Sequence, residues 1–427
     1  MSVSAFEAMA TATAMPVVAR QLDALASYTW AFNANIVAAL LGMVVAGLWS
    51  DATGPRRTLI AGLIAFVLGS VVAGAAGNFA VFVVGRAIQG IGGGMLIVGV
   101  YVLIARAYPP EVRPKAFSAL ASAWVLPSLV GPLIAGWLAD SVSWRWVFWL
   151  VPIVAVPAFL MMGERLRSLD GGVPNLDRTR RVVAGSVTAV ALIGFQEAVL
   201  RESVIGGLSA FVLLVVLVVA SRPLLPEGLY RLRRGLPTSI LMRGVLAGAY
   251  FTAEVFIPLA LVQVRGVSTT LAGLALAVGA LLWTTGSTIQ ARLNPLNDRS
   301  RVVQLGSGIV AVAIISTPLA LLASMPPWII SVSWAVAALG MGLAIPSISV
   351  QAMRQCRPEE QGRTSSALQI WDSMSVVVAS SAVGVVYALA ERASAVSGAT
   401  FTVIWVLAAA LAGSGVLVAP RMRATRQ

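Results

Sequence analysis

The chain has 427 residues, 58% of them hydrophobic and 11% charged, with mean hydropathy +0.89. Soluble domains carry about 25% charged residues, so the composition excludes a soluble globular class and points to a polytopic membrane protein. With no histidine and one cysteine, Cys356, the chain also excludes a His/Cys metal site, an internal disulfide and a Ser–His or Cys–His hydrolytic centre.

Apolar length and charged or Pro/Gly-rich breaks place fourteen spans. They run over residues 3–20, 28–49, 58–76, 79–105, 115–139, 145–162, 182–200, 203–221, 239–263, 268–291, 301–323, 327–352, 364–389 and 396–419. The first is short, contains Glu7 and lacks the basic stretch of a signal peptide. Two expectations stand for it: a marginal span, or a chain that starts late.

An even span count puts both termini on one side. Alternate loops then sort by charge. One set of seven loops holds only Arg20, Arg145, Arg201, Arg265 and Arg392, at most one per loop, while each loop of the other set, and the C-terminal tail, holds two to five basic residues. By the positive-inside rule the rich side, with both termini, is cytoplasmic. The net charge of +13 thus reads as orientation and contact with anionic headgroups of the bilayer, not as nucleic-acid binding.

The chain repeats itself. GMLIVGVYVLIARAYPPEVRPKAFSAL, residues 94–120, aligns without a gap on GLAIPSISVQAMRQCRPEEQGRTSSAL, residues 342–368, a shift of 248 residues. Gly94/Gly342, Arg106/Arg354, Pro110/Pro358, Glu111/Glu359 and Lys115/Arg363 correspond. A shift of eight spans keeps orientation, so the repeat is parallel. The expected organisation is an all-α fold of two six-helix bundles with an inserted pair: residues 1–164, a linker and spans 7–8 over 165–235, and residues 236–427. Parallel halves with a substrate site near the midplane are a transporter plan.

In chain order, the first motif is the loop GLWSDATGPRRTLI, residues 47–60. Gly54-Pro55 predicts a tight turn, and Asp51 beside Arg56 and Arg57 predicts a charge clamp or a simple helix cap. Next, FVVGRAIQGIGGGM, residues 82–95, puts Arg86 inside an apolar span. A charge at that depth costs about 2.5 kcal/mol or more and faces a protein interior or a watery cavity. Gln89 lies on the same face, and Gly90/Gly94 with Gly92 and Gly93 predict close packing against another helix. Span 5, VLPSLVGPLIAGWLAD over 125–140, is disturbed at Pro127 and Pro132. Gly131 and Gly136 allow a neighbour to approach.

Buried acids complete the inventory: Glu7 in span 1, Glu254 in span 9 and Asp372 in span 13. Glu254 lies about 16 Å along its helix from Arg243 at ~1.5 Å per residue, hence near mid-bilayer. By the repeat, Glu7 and Glu254 hold similar places. Such acids can carry protons in gradient-driven carriers. The alternative for each is a fixed partner, such as Arg86 for Glu7. Glu197, one turn before Arg201, predicts an interfacial ion pair. Asn33, Asn35, Gln89, Trp283, Thr284 and Thr285 are polar or amphipathic residues expected to line a cavity, with helix-to-helix hydrogen bonding an equal expectation for the asparagines. Cys356 receives no role.

The motifs resemble the major facilitator superfamily. Gly47, Asp51, Gly54, Arg56 and Arg57 match its signature loop, with departures at Ala52 and Pro55, where the family usually has basic residues. Arg86 with Gln89-Gly90 matches its span-4 signature, which implies a role for Arg86 in proton transfer or substrate orientation. Gly131-Pro132, with Pro127 and Gly136, resembles the antiporter motif that marks exporters. In the second half the corresponding pair is Ala379-Ser380, so the motif stays in the first half, as in those exporters. Fourteen spans and SWRWVF, residues 143–148, resemble the drug:proton antiporter branch, where an acid before an Ala-Leu-Pro-like step corresponds to Glu7 ahead of Ala14-Met15-Pro16. The resemblance implies proton-coupled export of small amphipathic molecules across the plasma (inner) membrane by a monomer. Neither a cofactor nor a metal nor enzymatic chemistry is implied, and no nucleotide-binding loop is present. Two alternatives stand: a narrow-specificity exporter or uptake symporter, and a non-transporting scaffold or sensor.

Overall fold

The computed structural model of the chain describes residues 2–107, 123, 125–160, 178–201, 203–292, 299–356 and 361–423. Among them are fourteen α-helices: α1 (Ser2–Gln21), α2 (Trp30–Thr53), α3 (Pro55–Gly74), α4 (Phe79–Ala107), α5 (Val125–Ser141), α6 (Arg145–Leu160), α7 (Arg178–Val199), α8 (Val204–Ser221), α9 (Leu236–Arg265), α10 (Thr269–Ala291), α11 (Arg299–Ser316), α12 (Ile329–Gln355), α13 (Gln361–Arg392) and α14 (Gly398–Val418). Each lies on one of the fourteen apolar stretches. Eleven of the described helices are long and apolar enough to cross a membrane; α6 and α7 are apolar but shorter. The chain divides into two compact units, Met1–Ile193 and Gly194–Gln427, so α7 begins in one and ends in the other.

In the first unit α4 is the central element, with α2 and α3 packed on different faces of it. Lipid tails are as apolar as side chains, so helices associate in a bilayer through close van der Waals contact. The glycines of α4 provide it. A Cβ on Gly90 would lie 2.2 Å from the Asn35 carbonyl oxygen of α2, and one on Gly92 2.2 Å from the Phe66 backbone nitrogen of α3. Gly54, at φ 88°, makes the one-residue turn from α2 to α3, and Pro55 starts α3 where its missing N–H costs nothing. At the other end of α3, Ser70 Oγ donates to the Phe148 carbonyl at 2.7 Å, and Phe82 meets Trp144 and Phe148 edge-on. Helix α1 packs on α5 and α6, and α3 on α6.

The same packings recur in the second unit: α10 and α11 on α12, α9 on α13 and α14, and α11 on α14. The close approach recurs as well, with α10 offset by one turn relative to the 248-residue shift. A Cβ on Gly342, the counterpart of Gly94, would meet the Trp283 carbonyl oxygen at 2.1 Å, as one on Gly94 would meet Ala39 at 2.1 Å. The internal repeat therefore has a physical content: α4 and α12 are the small-residue hubs of their units. Between α8 and α9 the chain is packed rather than loose. Leu224, Leu225 and Leu229 are buried, Tyr230 bonds Ser221 and stacks edge-on against Trp371, and Gly235 donates its N–H to the Arg421 carbonyl at 2.9 Å.

Candidate functional site: three clusters of membrane-embedded charge

The first cluster forms where α1, α2 and α4 meet. Arg86 is 3% exposed and Glu7 4%. The guanidinium donates to the Glu7 carboxylate and to Gln89 Oε1, and its Nε donates to the Ala31 carbonyl at 3.0 Å. Thr11, one turn along α1, donates to the same Glu7 oxygen at 2.8 Å. Asn35 donates its side-chain amide to the Arg86 carbonyl at 3.3 Å. The fixed partner expected for Glu7 is thus present. Gln89 Nε2 is buried with no hydrogen-bond partner among the described residues. Close by, Gly131 faces α1: its Cβ position is 3.5 Å from the Phe6 carbonyl oxygen, beside Glu7. Pro132 lies inside α5 and is buried with Gly136; Pro127 is half-buried.

The second cluster surrounds Glu254 on α9. Glu254 is 9% exposed, and no hydrogen bond or ion pair reaches its carboxylate among the described residues. One turn earlier, Tyr250 stacks on Trp334 with ring centroids 4.2 Å apart and meets Trp283 edge-on at 5.5 Å. Phe251 adds a further contact to Trp283. The repeat explains the missing cation. The residue 248 positions beyond Arg86 is Trp334; Tyr250 of α9 touches Trp334 as Glu7 of α1 touches Arg86, and Glu254 lies one turn further along α9.

In the third cluster Arg243 of α9 reaches Asp372 of α13. Its Nη2 and Nε lie 2.9 and 3.1 Å from Asp372 Oδ2. Gln369 Oε1 accepts from Nη2 at 3.2 Å, and Ser349 Oγ of α12 from Nη1 at 3.3 Å. Asp372 Oδ1 is buried without a hydrogen-bond partner among the described residues. Arg243, Gln369 and Ser349 were not singled out from the sequence. Arg243 lies near the start of its span, where a long basic side chain ordinarily reaches the headgroups, so nothing in the pattern marked it as an ion-pair partner.

The remaining expectations fall as follows. Asn33 is buried, and Thr284 is exposed with its hydroxyl on its own helix at the Ala280 carbonyl, 2.9 Å away. Around the turn at Gly54, Arg56 is half-buried and Arg57 exposed, while the side chain of Asp51 lies outside the described residues, as does that of Ser128 in α5. A Cβ on Gly47 would meet nothing within 4 Å, so packing does not require that glycine. The ion pair expected between Glu197 and Arg201 is not formed: α7 ends at Val199, so Arg201 leaves the helix and the one-turn spacing no longer applies.

Residues 1–380 match the family model described as Major Facilitator Superfamily. The chain is 26% identical over 387 residues to Multidrug resistance protein 3 of Bacillus subtilis (strain 168), covering 85% of this chain and 73% of that protein. It is 27% identical over 389 residues to Multidrug transporter protein MdtP of the same organism, covering 87% and 70%. Its fold is similar to that of an auto inhibited POT family peptide transporter, with a TM-score of 0.71 at 15% identity, covering 100% of this chain and 96% of that one.

Proposed function

Because the chain belongs to the Major Facilitator Superfamily, and is thus a multi-pass membrane transporter and not an enzyme, we propose that it exports small amphipathic or drug-like molecules in exchange for protons. In this reading all fourteen helices span the plasma membrane, both termini are cytoplasmic, and the protein works as a monomer with no cofactor. The organisation is two six-helix bundles, 1–164 and 236–427, with an inserted pair and linker over 165–235.

One observation carries the coupling part: Glu254 is buried in α9 with no cation and no donor at its carboxylate among the described residues. A buried, unpaired carboxylate is costly. Taking up a proton removes that cost, and a change of surroundings returns it. An external proton neutralises Glu254 when its site faces outward. Release to the cytoplasm restores the charge and biases the carrier back, so that each proton is exchanged for one outward movement of substrate. Glu7 and Asp372 are different, since each already has an arginine. Their protonation would release Arg86 or Arg243 from its partner, which makes these pairs latches in the same cycle. The signature-loop residues Gly47, Asp51, Gly54, Arg56 and Arg57 would gate it. Support for export comes from the antiporter-type Gly131-Pro132 packed beside Glu7, and for drug-like cargo from the names of the two Bacillus relatives.

The test is proton release from energised inside-out vesicles, followed by a lumenal pH dye while a panel of lipophilic cations is added. Dequenching with the wild type and none with Glu254→Gln is the expected result. Dequenching that persists in Glu254→Gln would remove that residue from the cycle. A flat wild-type response with folded, inserted protein would redirect the reading to a narrow substrate.

A further inference from the structure

The link between α8 and α9, residues 222–235, is a folded strap that lies against the third charged cluster. Its apolar side chains anchor it: Leu224, Leu225 and Leu229 are 1–2% exposed. Its backbone is tied as well. Arg233 N–H donates to the Gly228 carbonyl at 3.1 Å, Thr238 Oγ1 to the Arg233 carbonyl at 2.6 Å, and Gly235 N–H to the Arg421 carbonyl at 2.9 Å. Two of its residues turn left-handed, Gly228 at φ 87° and Leu232 at φ 53°. Glycine adopts that conformation freely, but leucine does so at a cost, so the docked strap holds strain that undocking relieves.

Tyr230 joins the strap to two neighbours. Its hydroxyl shares a hydrogen bond with Ser221, the last residue of α8. Its ring meets Trp371 of α13 edge-on, with centroids 5.6 Å apart. Trp371 in turn fills a notch in α9. Its Nε1 donates to the Leu241 carbonyl at 3.1 Å, and a Cβ on Gly244 would lie 2.4 Å from that nitrogen and 2.2 Å from Ser375 Oγ. Gly244 and Trp371 are the chain neighbours of Arg243 and Asp372, so notch and ion pair are adjacent contacts of one α9–α13 crossing. The two helices part at this end only if Trp371 leaves the notch, and Tyr230 packs on its ring. Tyr230 is itself 37% exposed, so it can lift away. Of α8 only Gly206, Leu217 and Ser221 are buried, so a shift of that helix disturbs little packing.

We propose that the 222–235 strap is a clasp on the α9–α13 crossing, with Tyr230 as its closing residue, and that α8 acts through Ser221 to set how readily the crossing opens. The ring contact keeps Trp371 in the notch, and the hydroxyl contact passes on movements of α8. The inserted helix thereby gains a regulatory role. That role holds for any cargo or driving ion, so it stands apart from the proton-exchange reading.

Thiol accessibility at the crossing tests it. Ser375→Cys, in the full chain carrying Cys356→Ser and held in nanodiscs, is reacted with a small methanethiosulfonate reagent, and intact mass gives the labelling rate. Tyr230→Ala should raise that rate by about two- to tenfold, the range that an edge-to-face aromatic pair opposes; Tyr230→Gln replaces it should the alanine variant fail to fold. Tyr230→Phe and Ser221→Ala each remove one end of the same hydrogen bond. Each should raise the rate by less than Tyr230→Ala does, and the double variant should raise it no further than either alone. A parental rate when the ring is removed, or additive effects of Tyr230→Phe and Ser221→Ala, overturns the proposal.

Discussion

The two units repeat one packing scheme but treat a membrane-embedded acid in opposite ways. In the first, Glu7 is neutralised by Arg86 and held further by Thr11. In the second, the position of Arg86 is taken by Trp334, which stacks on Tyr250 one turn from Glu254, and Glu254 has no cation among the described residues. A repeat therefore preserves helix crossings more strictly than it preserves chemistry. Crossings depend on small residues where backbones touch, and Gly94 and Gly342 both hold such a place. The charged residues sit on the remaining faces, where one substitution, such as Trp334 at the position of Arg86, changes the partner without disturbing the crossing.

The comparison can be broken by experiment. The largest effect is expected at Arg86. Arg86→Ala leaves Glu7 buried and unpaired, which costs about 3–5 kcal/mol, and it should abolish transport; thermal unfolding and vesicle assays read the two effects. Arg86→Lys should restore activity only in part, because the planar fork that reaches Glu7, Gln89 and Ala31 together is lost. Unchanged stability and full activity of the alanine variant would mean the pair is dispensable. Next comes Glu254→Gln, which should abolish proton-linked transport and leave stability unchanged or slightly raised, since it removes a buried carboxylate that has no partner. A loss of several kcal/mol would reveal a cation at Glu254 and erase the contrast between the units.

The Arg243–Asp372 pair should fall between these cases. It is partly exposed, and hydrogen bonds to charged groups contribute about 1.5–3 kcal/mol. A double-mutant cycle of Arg243→Gln and Asp372→Asn should return a coupling near the lower end of that range; zero coupling would show that the two side chains do not stabilise each other. The smallest effect is expected at Gly47. Gly47→Ala meets nothing and gains helix propensity of about 0.5–1 kcal/mol. If expression and stability hold while transport falls, the signature glycine serves movement rather than packing.

Much of this was legible in advance. The apolar lengths and breaks fall on all fourteen described helices, most ends agreeing within a few residues; span 11 runs seven residues beyond the end of α11, and the start of span 5 lies outside the described residues. The pairing of Gly90 and Gly94 with a neighbouring helix followed from small residues at one-turn spacing, and the inward facing of Arg86 from the cost of charge in lipid. The Glu197–Arg201 expectation failed because it assumed that a helix continued two residues past its end. The partner of Asp372 was missed because Arg243 and Asp372 are 129 residues apart in the chain, and no local period joins them.

The sequence by itself determined the membrane class, the helix positions, the parallel repeat and the existence of three embedded acids, because hydropathy and small-residue spacing are local quantities set by the bilayer. Only the tertiary structure decided which acid has a cation. That depends on helix rotation and on side chains arriving from helices distant in the chain: Arg86 from α4 to Glu7 and Arg243 from α9 to Asp372, whereas one turn from Glu254 Tyr250 stacks on Trp334, which stands where the other unit has its arginine.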